Sequence, residues 1–209
     1  MKRALILSGG WEGHHPSEID GIFKQILLGE GYDVDICKTL HSIHTNYPLK
    51  DYQLIIPNWT MGQIPYDSLC ALLEAVQEGA GVAGIHGGMG DAFRNETEYQ
   101  YMVGGQFVAH PGGQEVDYTV LIQDKEHVIT KDINDFEIQS ELYYMQIDPA
   151  IQILASTPVG SIQMPVAWTK TYGRGSVFYC SVGHKPEDLT NKDCYNLIKN
   201  GFLWAASKE

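Results

Sequence analysis

The feature that most constrains the fold is an alternation in the first half of the chain. Short β-rich runs at residues 3–7, 32–37, 53–57 and 81–86 are separated by segments of helical period. Strand and helix in turn require crossover connections between parallel strands, so the pattern predicts βαβ units and a parallel sheet. Between the first two runs, Ile19, Ile22, Phe23, Ile26 and Leu27 make one apolar stripe, with Ser17 placed to cap the helix and Asp20 in its first turn. Gly29 and Gly31 end it. A second helix begins near Pro65, carries Leu69, Leu72, Leu73 and Val76 at helical spacing, and stops at Gly79 and Gly81.

After residue 110 the texture changes to short β runs at 116–122, 151–155, 165–170 and 176–182, the last two flanking Tyr172-Gly173-Arg174-Gly175 as a hairpin. A closing helix over about 190–206 places Leu197, Ile198, Phe202 and Ala205 on one face. With no repeat or linker in view, residues 1–209 read as a single α/β domain, doubly wound, with a mostly parallel sheet and an antiparallel elaboration in the second half. Its functional crevice belongs at the carboxyl ends of the parallel strands. A chain of 209 residues, 44% hydrophobic, supports one sizeable core. The net charge of −12, from 26 acidic against 14 basic residues with no run of Lys or Arg, argues against nucleic acid and anionic membrane as partners. The apolar run at the N-terminus is too short for a signal peptide, no membrane span is present, and a cytoplasmic location is expected. Cys37, Cys70, Cys180 and Cys194 form no C-x-x-C pair and read as reduced thiols serving as small core residues.

Chemistry concentrates in a few turns. Gly84-Ile85-His86-Gly87-Gly88-Met89-Gly90-Asp91 follows an apolar strand and precedes a helix, the layout of a nucleophile elbow, with His86 at its centre. An imidazole there cannot form the ester or thioester of a Ser or Cys, but it can move protons or bind a metal. The bland alternative is a Gly-rich turn whose histidine bonds a neighbouring loop. Tyr179-Cys180-Ser181-Val182-Gly183-His184 ends a second strand, and if that strand lies parallel to the fourth, His184 meets His86 at one edge. Cys180 lies about 13 Å from His184 at ~3.3 Å per residue, too far to be activated by it within a regular strand. The loop after the first strand supplies Trp11, Glu12, His14 and His15, although Pro16 and Ser17 there also suit plain helix entry. Asp91, His110 and Glu141 lie in turn-like or short β contexts; Asp91 reads as a helix cap, and the other two gain interest only by converging with the histidines. Among the aromatics, Trp11 and Trp59 follow strands and are the better ligand-facing candidates, with Tyr143 and Tyr144 near Glu141; Trp168 lies within a strand and reads as core.

These residues resemble the ThuA-like, or trehalose-utilisation, family of the class I glutamine amidotransferase-like superfamily. The resemblance runs over nearly the whole chain. It rests on His14 and Pro16, on Gly84-Ile85-His86-Gly87-Gly88 with Gly90-Asp91-Ala92-Phe93, on Val103-Gly104-Gly105-Gln106-Phe107 with His110-Pro111, on Glu141-Leu142-Tyr143-Tyr144, on Pro165-Val166-Ala167-Trp168, and on Tyr172-Gly173-Arg174-Gly175 leading to Gly183-His184. It implies a flavodoxin-like three-layer sandwich and a role in carbohydrate metabolism, on trehalose, related disaccharides or their keto derivatives. It also implies that His86 occupies the place of the amidotransferase cysteine, so the chain is not a glutaminase, and that His184 matches the triad histidine. Glu187 stands one residue further from His184 than the triad acid would.

Three functions compete. The leading one is a sugar-processing enzyme with His86 and His184 as catalytic acid and base, and with Trp11, Glu12, His14, Trp59, Asp91, His110, Glu141 and Tyr143 binding substrate. The second is metal-assisted hydrolysis or isomerisation, for which His14, His86, His110 and His184 are candidate ligands with Asp91 or Glu12. The sequence specifies no cofactor, and a divalent metal such as zinc is the one candidate. The third is a non-catalytic sugar-binding module. The partner expected in each case is a small-molecule sugar, and self-association into a homo-oligomer is left open.

Overall fold

The structure, a computed structural model, describes residues 2–41 and 43–207. The N-terminal apolar run forms β1 (Lys2–Gly10), in which Ala4, Leu5, Ile6 and Leu7 are all buried, as a strand covered on both faces requires. A 3-10 turn (Glu12–His14) leads to α1 (Pro16–Gly29), β2 (Tyr32–Cys37), the short α2 (Ile43–Asn46), a 3-10 turn (Leu49–Asp51), β3 (Leu54–Thr60), α3 (Tyr66–Gln77) and β4 (Gly81–Ile85). The rest of the chain forms α4 (His86–Gly90), α5 (Thr97–Val103), β5 (Gly105–Ala109), β6 (Val116–Ile122), β7 (Phe136–Ser140), β8 (Tyr144–Ile147), β9 (Gln152–Val159), β10 (Ile162–Tyr172), β11 (Gly175–Cys180), a 3-10 turn (Pro186–Thr190) and α6 (Lys192–Ala206).

Nine strands make one sheet in the order β2-β1-β3-β4-β11-β10-β9-β6-β7, and β5 pairs with β8 apart from it. From β2 to β11 every neighbour is parallel; from β10 onward every neighbour is antiparallel. Alternation along the strands sends Ala4, Ile6, Ile56, Ala83 and Phe178 to one face, against Phe23 of α1 and Phe202 of α6. Leu5, Leu7, Ile55, Val82 and Val177 face the other way, toward Leu69 and Leu72 of α3. Because β1, β3, β4 and β11 run in one direction, Gly10, Thr60, Ile85 and Cys180 all finish at the same rim. The four connections leaving that rim supply most of the chemistry.

Several local expectations change. β1 and β3 extend past their apolar runs because Ser8, Gly9 and Gly10 still pair with Asn58, Trp59 and Thr60. α1 starts at Pro16, with His15 in the left-handed region (φ 50) at its N-cap, so Ser17 lies inside the helix, exposed, and caps nothing. A proline at the first helical position has its φ set in advance and lacks only a donor that the helix could not use there. Cys37, Cys180 and Cys194 are buried, but Cys70 is exposed on the outer face of α3. Its neighbours Ser68, Leu69, Leu72, Ala75 and Val76 take the buried side, and position 70 falls opposite them.

Candidate active site

β4 ends at Ile85, and His86 opens α4 with φ 42, a left-handed backbone that a residue with a Cβ adopts only under constraint. The glycines around it make room for specific neighbours. A Cβ at Gly84 would come within 2.6 Å of the Met89 side chain, one at Gly88 within 2.7 Å of Asn58 Oδ1, and one at Gly87 would overlap the His14 ring and lie 2.9 Å from the Tyr143 hydroxyl. The elbow therefore packs His86 between β11 and a second histidine. His86 Nδ1 lies 2.8 Å from the Ser181 carbonyl, which can only accept, so this nitrogen carries the hydrogen. Nε2 then faces Glu141 Oε2 at 3.0 Å, and the Tyr143 ring stacks over the imidazole at 4.0 Å.

His14 arrives from the turn after β1, its Nδ1 held 2.8 Å from Thr60 Oγ1 at the end of β3. His184 arrives from the segment after β11, where Gly183 turns the backbone at φ 119. Ring centroids of His14, His86 and His184 lie 4.7–5.3 Å apart. Glu141, in the link between β7 and β8, is their common neighbour: Oε2 is 3.5 Å from His184 Nδ1 and 3.8 Å from His14 Nε2, and Oε1 is 3.7 Å from His110 Nδ1. One ligand atom each from His14, His86, Glu141 and His184 lies within 4.8 Å of all the others, and all four residues are buried. His184 Nδ1 is enclosed yet hydrogen-bonds to no described group. Desolvation pushes the His86 imidazole down to about 4, over the opposing pull of Glu141. Burial alone would raise the Glu141 carboxyl, but the surrounding His14, His184 and His86 rings hold it well below the usual carboxylate range.

A cavity of about 200 Å³ opens above this cluster. His14 and Glu141 line it, with Trp11, Asp91, His110 and Tyr143; His86 and His184 lie behind them. Met61, Arg94, Phe107 and Gln114 complete the lining; none of them is a site candidate from the sequence, although Phe107 falls in a stretch that carries the family resemblance. Arg94 had a signal, three residues after Asp91 beyond the elbow. Its Nε and Nη2 both donate to the Asp91 carboxylate, the latter at 2.8 Å, so Asp91 holds a guanidinium at the cavity wall and does not cap a helix N-terminus. Two other residues are placed elsewhere. Glu12 is exposed in its 3-10 turn and does not line the cavity. Trp59 lays its ring over Gly9 and Gly62, where a Cβ would come within 2.6 Å of it, and serves as a cover for backbone. Glu187 is exposed, while its neighbour Asp188 is buried, 2.6 Å from Ser140 Oγ, which donates to it. The carboxylate beside the histidines is thus Glu141, from the antiparallel half.

Chemically, the arrangement offers three imidazoles and one carboxylate at a shielded point, beneath a small cavity walled by Trp11 and Phe107 and bearing an Asp–Arg pair. Such a set can hold a cation, or pass protons to a polar ligand.

The family model for trehalose utilisation, ThuA, matches residues 3–205. Among solved structures, a ThuA-like protein from Bacteroides uniformis superposes with a TM-score of 0.82 at 22% identity, over 100% of this chain and 92% of that one. A ThuA-like protein from Parabacteroides merdae gives 0.81 at 21% identity, over 99% and 90%. The fold also recurs inside the β-galactosidase of Rahnella sp. R3, with a TM-score of 0.65 and 14% identity, over 98% of this chain but 30% of that enzyme. No curated protein matches the sequence. With the family model spanning nearly its whole length, the chain belongs to the ThuA trehalose-utilisation family.

Proposed function

We propose that the protein is a sugar-processing enzyme of carbohydrate metabolism, acting in the cytoplasm on a disaccharide or keto-sugar, with the Glu141-centred cluster as its reaction centre. One observation carries this reading: a buried carboxylate ringed by His14, His86 and His184 forms the floor of a cavity with aromatic walls. At about 200 Å³ the cavity is smaller than the ~300–1,000 Å³ typical of drug-sized pockets, so it takes a single ring. Trp11, 44% exposed at the mouth, offers a flat apolar face to whatever remains outside. Asp91, Arg94 and Gln114 supply acceptors and donors for hydroxyls.

In this reading the groups that face the sugar are His14, Glu141 and His110. His86 and His184, the acid–base pair expected from the sequence, act through Glu141 without touching the substrate. His110, half-exposed and near Glu141 Oε1, can exchange protons with water and so is the group that links the buried centre to solvent. With His86 at the elbow, no acyl-enzyme is formed there.

The test is turnover of a panel of disaccharides and keto-sugars by the intact chain. At least one compound is expected to react, with Glu141→Gln lowering kcat by about 10²–10⁴-fold while circular dichroism stays unchanged. Failure of the wild-type protein to turn over any member of the panel would argue against the enzyme reading.

A further inference from the structure

Hydrogen placement at the cluster does not close with protein groups alone. The Ser181 carbonyl fixes the hydrogen of His86 on Nδ1, so a neutral His86 turns a bare Nε2 lone pair toward Glu141 Oε2 at 3.0 Å. Two acceptors do not approach so closely unless something positive lies between them. A shared proton would satisfy that one contact, but His14 Nε2, at 3.8 Å, and His184 Nδ1, at 3.5 Å and without a hydrogen bond, aim at the same oxygen. Glu141 is 4% exposed, and its only ionic partners among the described residues are imidazoles. The nearby guanidinium of Arg94 is committed to Asp91. An enclosed carboxylate without a permanent counter-charge is costly, and so is an enclosed ring nitrogen without a partner.

We propose that His14 Nε2, His86 Nε2, His184 Nδ1 and a Glu141 carboxylate oxygen are the four ligands of one divalent transition-metal ion of the zinc class. The proposal rests on reading this cluster as the reaction centre and gives that centre its chemistry. Four ligands at ~2.0–2.1 Å in a tetrahedron stand roughly 3.3 Å from one another; the contacts of Glu141 Oε2 to the three rings, 3.0, 3.5 and 3.8 Å, bracket that spacing, and the widest pair of the four atoms, within 4.8 Å, draws together on binding. Three nitrogens to one oxygen suits zinc and its first-row neighbours and does not suit magnesium or calcium, which take oxygen shells. The outer bonds fit too. Metal-binding imidazoles direct their other nitrogen to a carbonyl or another polar group, as His86 does to Ser181 and His14 to Thr60. His110 is excluded from the set: its side chain is 49% exposed and it meets the other carboxylate oxygen, Oε1, at 3.7 Å. Held there by four protein ligands, such an ion would act on a sugar oxygen in the cavity only by taking it as a fifth ligand, and would then polarise it.

The experiment uses the full-length, tag-free chain, stripped with a chelator and titrated with Zn²⁺ and with Co²⁺. One ion per chain is expected, with the intense visible bands of four-coordinate cobalt and a rise in Tm on binding. His184→Ala is expected to weaken binding at least roughly tenfold, Thr60→Ala by ~10–100-fold through the outer bond to His14, and His110→Ala not at all. Should His184→Ala fold poorly, the wild-type titration and the Thr60→Ala and His110→Ala pair still decide the matter. Sub-stoichiometric binding, six-coordinate cobalt spectra, or loss of binding on His110→Ala with none on His184→Ala would overturn the proposal. A chain that binds one zinc ion but turns over no sugar keeps the metal site and loses the enzyme reading. Sugar turnover by a chain that binds no stoichiometric zinc or cobalt does the reverse.

Discussion

Gly87 shows how closely the site is specified at single positions. Any side chain there collides with the His14 ring and approaches the Tyr143 hydroxyl, two groups that line the cavity. Gly87→Ala is therefore expected to displace His14 by up to an ångström and to lower kcat/KM on whichever sugar the panel identifies by about 10²-fold, as misplacement on that scale does. Steady-state kinetics beside a melting curve would check it, and a drop in Tm with unaltered kinetics would refute it. The meeting of His86, His14 and His184 can be read from sequence in so far as each sits in a turn after a parallel strand, at one rim. The place of Glu141 among them cannot, since Ser140-Glu141-Leu142 looks like any strand end until the antiparallel half is docked. The misplacement of Glu12 and Trp59 has a related cause: both follow strands at the correct rim, but one residue of turn decides whether a side chain faces the cavity, the solvent or the backbone of a neighbour.

At the level of elements, β10 is tied to the segment around α5 by a lysine. Lys170 is nearly buried, donates to the Tyr101 carbonyl and to Asp148 Oδ2 at 2.7 Å, and lies over the Tyr101 ring. Asp148→Ala leaves this ammonium without its anion and is expected to cost about 2–4 kcal/mol in urea unfolding, whereas Lys170→Met, which removes the charge along with the need for a partner, costs less. Lys170 and a backbone bond from Ala150 hold the Asp148 carboxyl below its usual range. A carboxyl with a depressed folded pKa contributes stability above its unfolded value, near 3.8, and loses it as pH falls through the lower folded value. The gap in stability between wild type and Asp148→Asn is thus expected to be full at pH 6 and to shrink as pH falls below about 4; a gap independent of pH would contradict this. The parallel strands were legible because four apolar runs alternate with helical stripes, and β2 and β6 fall at 32–37 and 116–122 as read. The β5–β8 pair was not, because its residues are largely exposed and carry no strong period.

Across the whole molecule, the two ends of the chain meet on one face of the sheet, where Phe23 of α1 and Phe202 of α6 pack edge to face at 4.9 Å, both fully buried. Phe202→Ala is expected to cost ~3–5 kcal/mol and to shift the entire denaturation curve with its slope retained, because the core it opens spans α1, the sheet and α6. A separate early transition confined to one half would show that the chain unfolds as two units. Sequence patterning forecast this layered plan correctly, since burial on both faces of the central strands leaves little choice of architecture. The provenance of Glu141 has a consequence for assembly. His14 and His86 stand just beyond the ends of parallel strands, Glu141 comes from the antiparallel half and His184 from the segment after β11, so the cluster is complete only when both halves of the sheet are docked. Disturbing the seam between β11 and β10 therefore takes the carboxylate away from the three imidazoles.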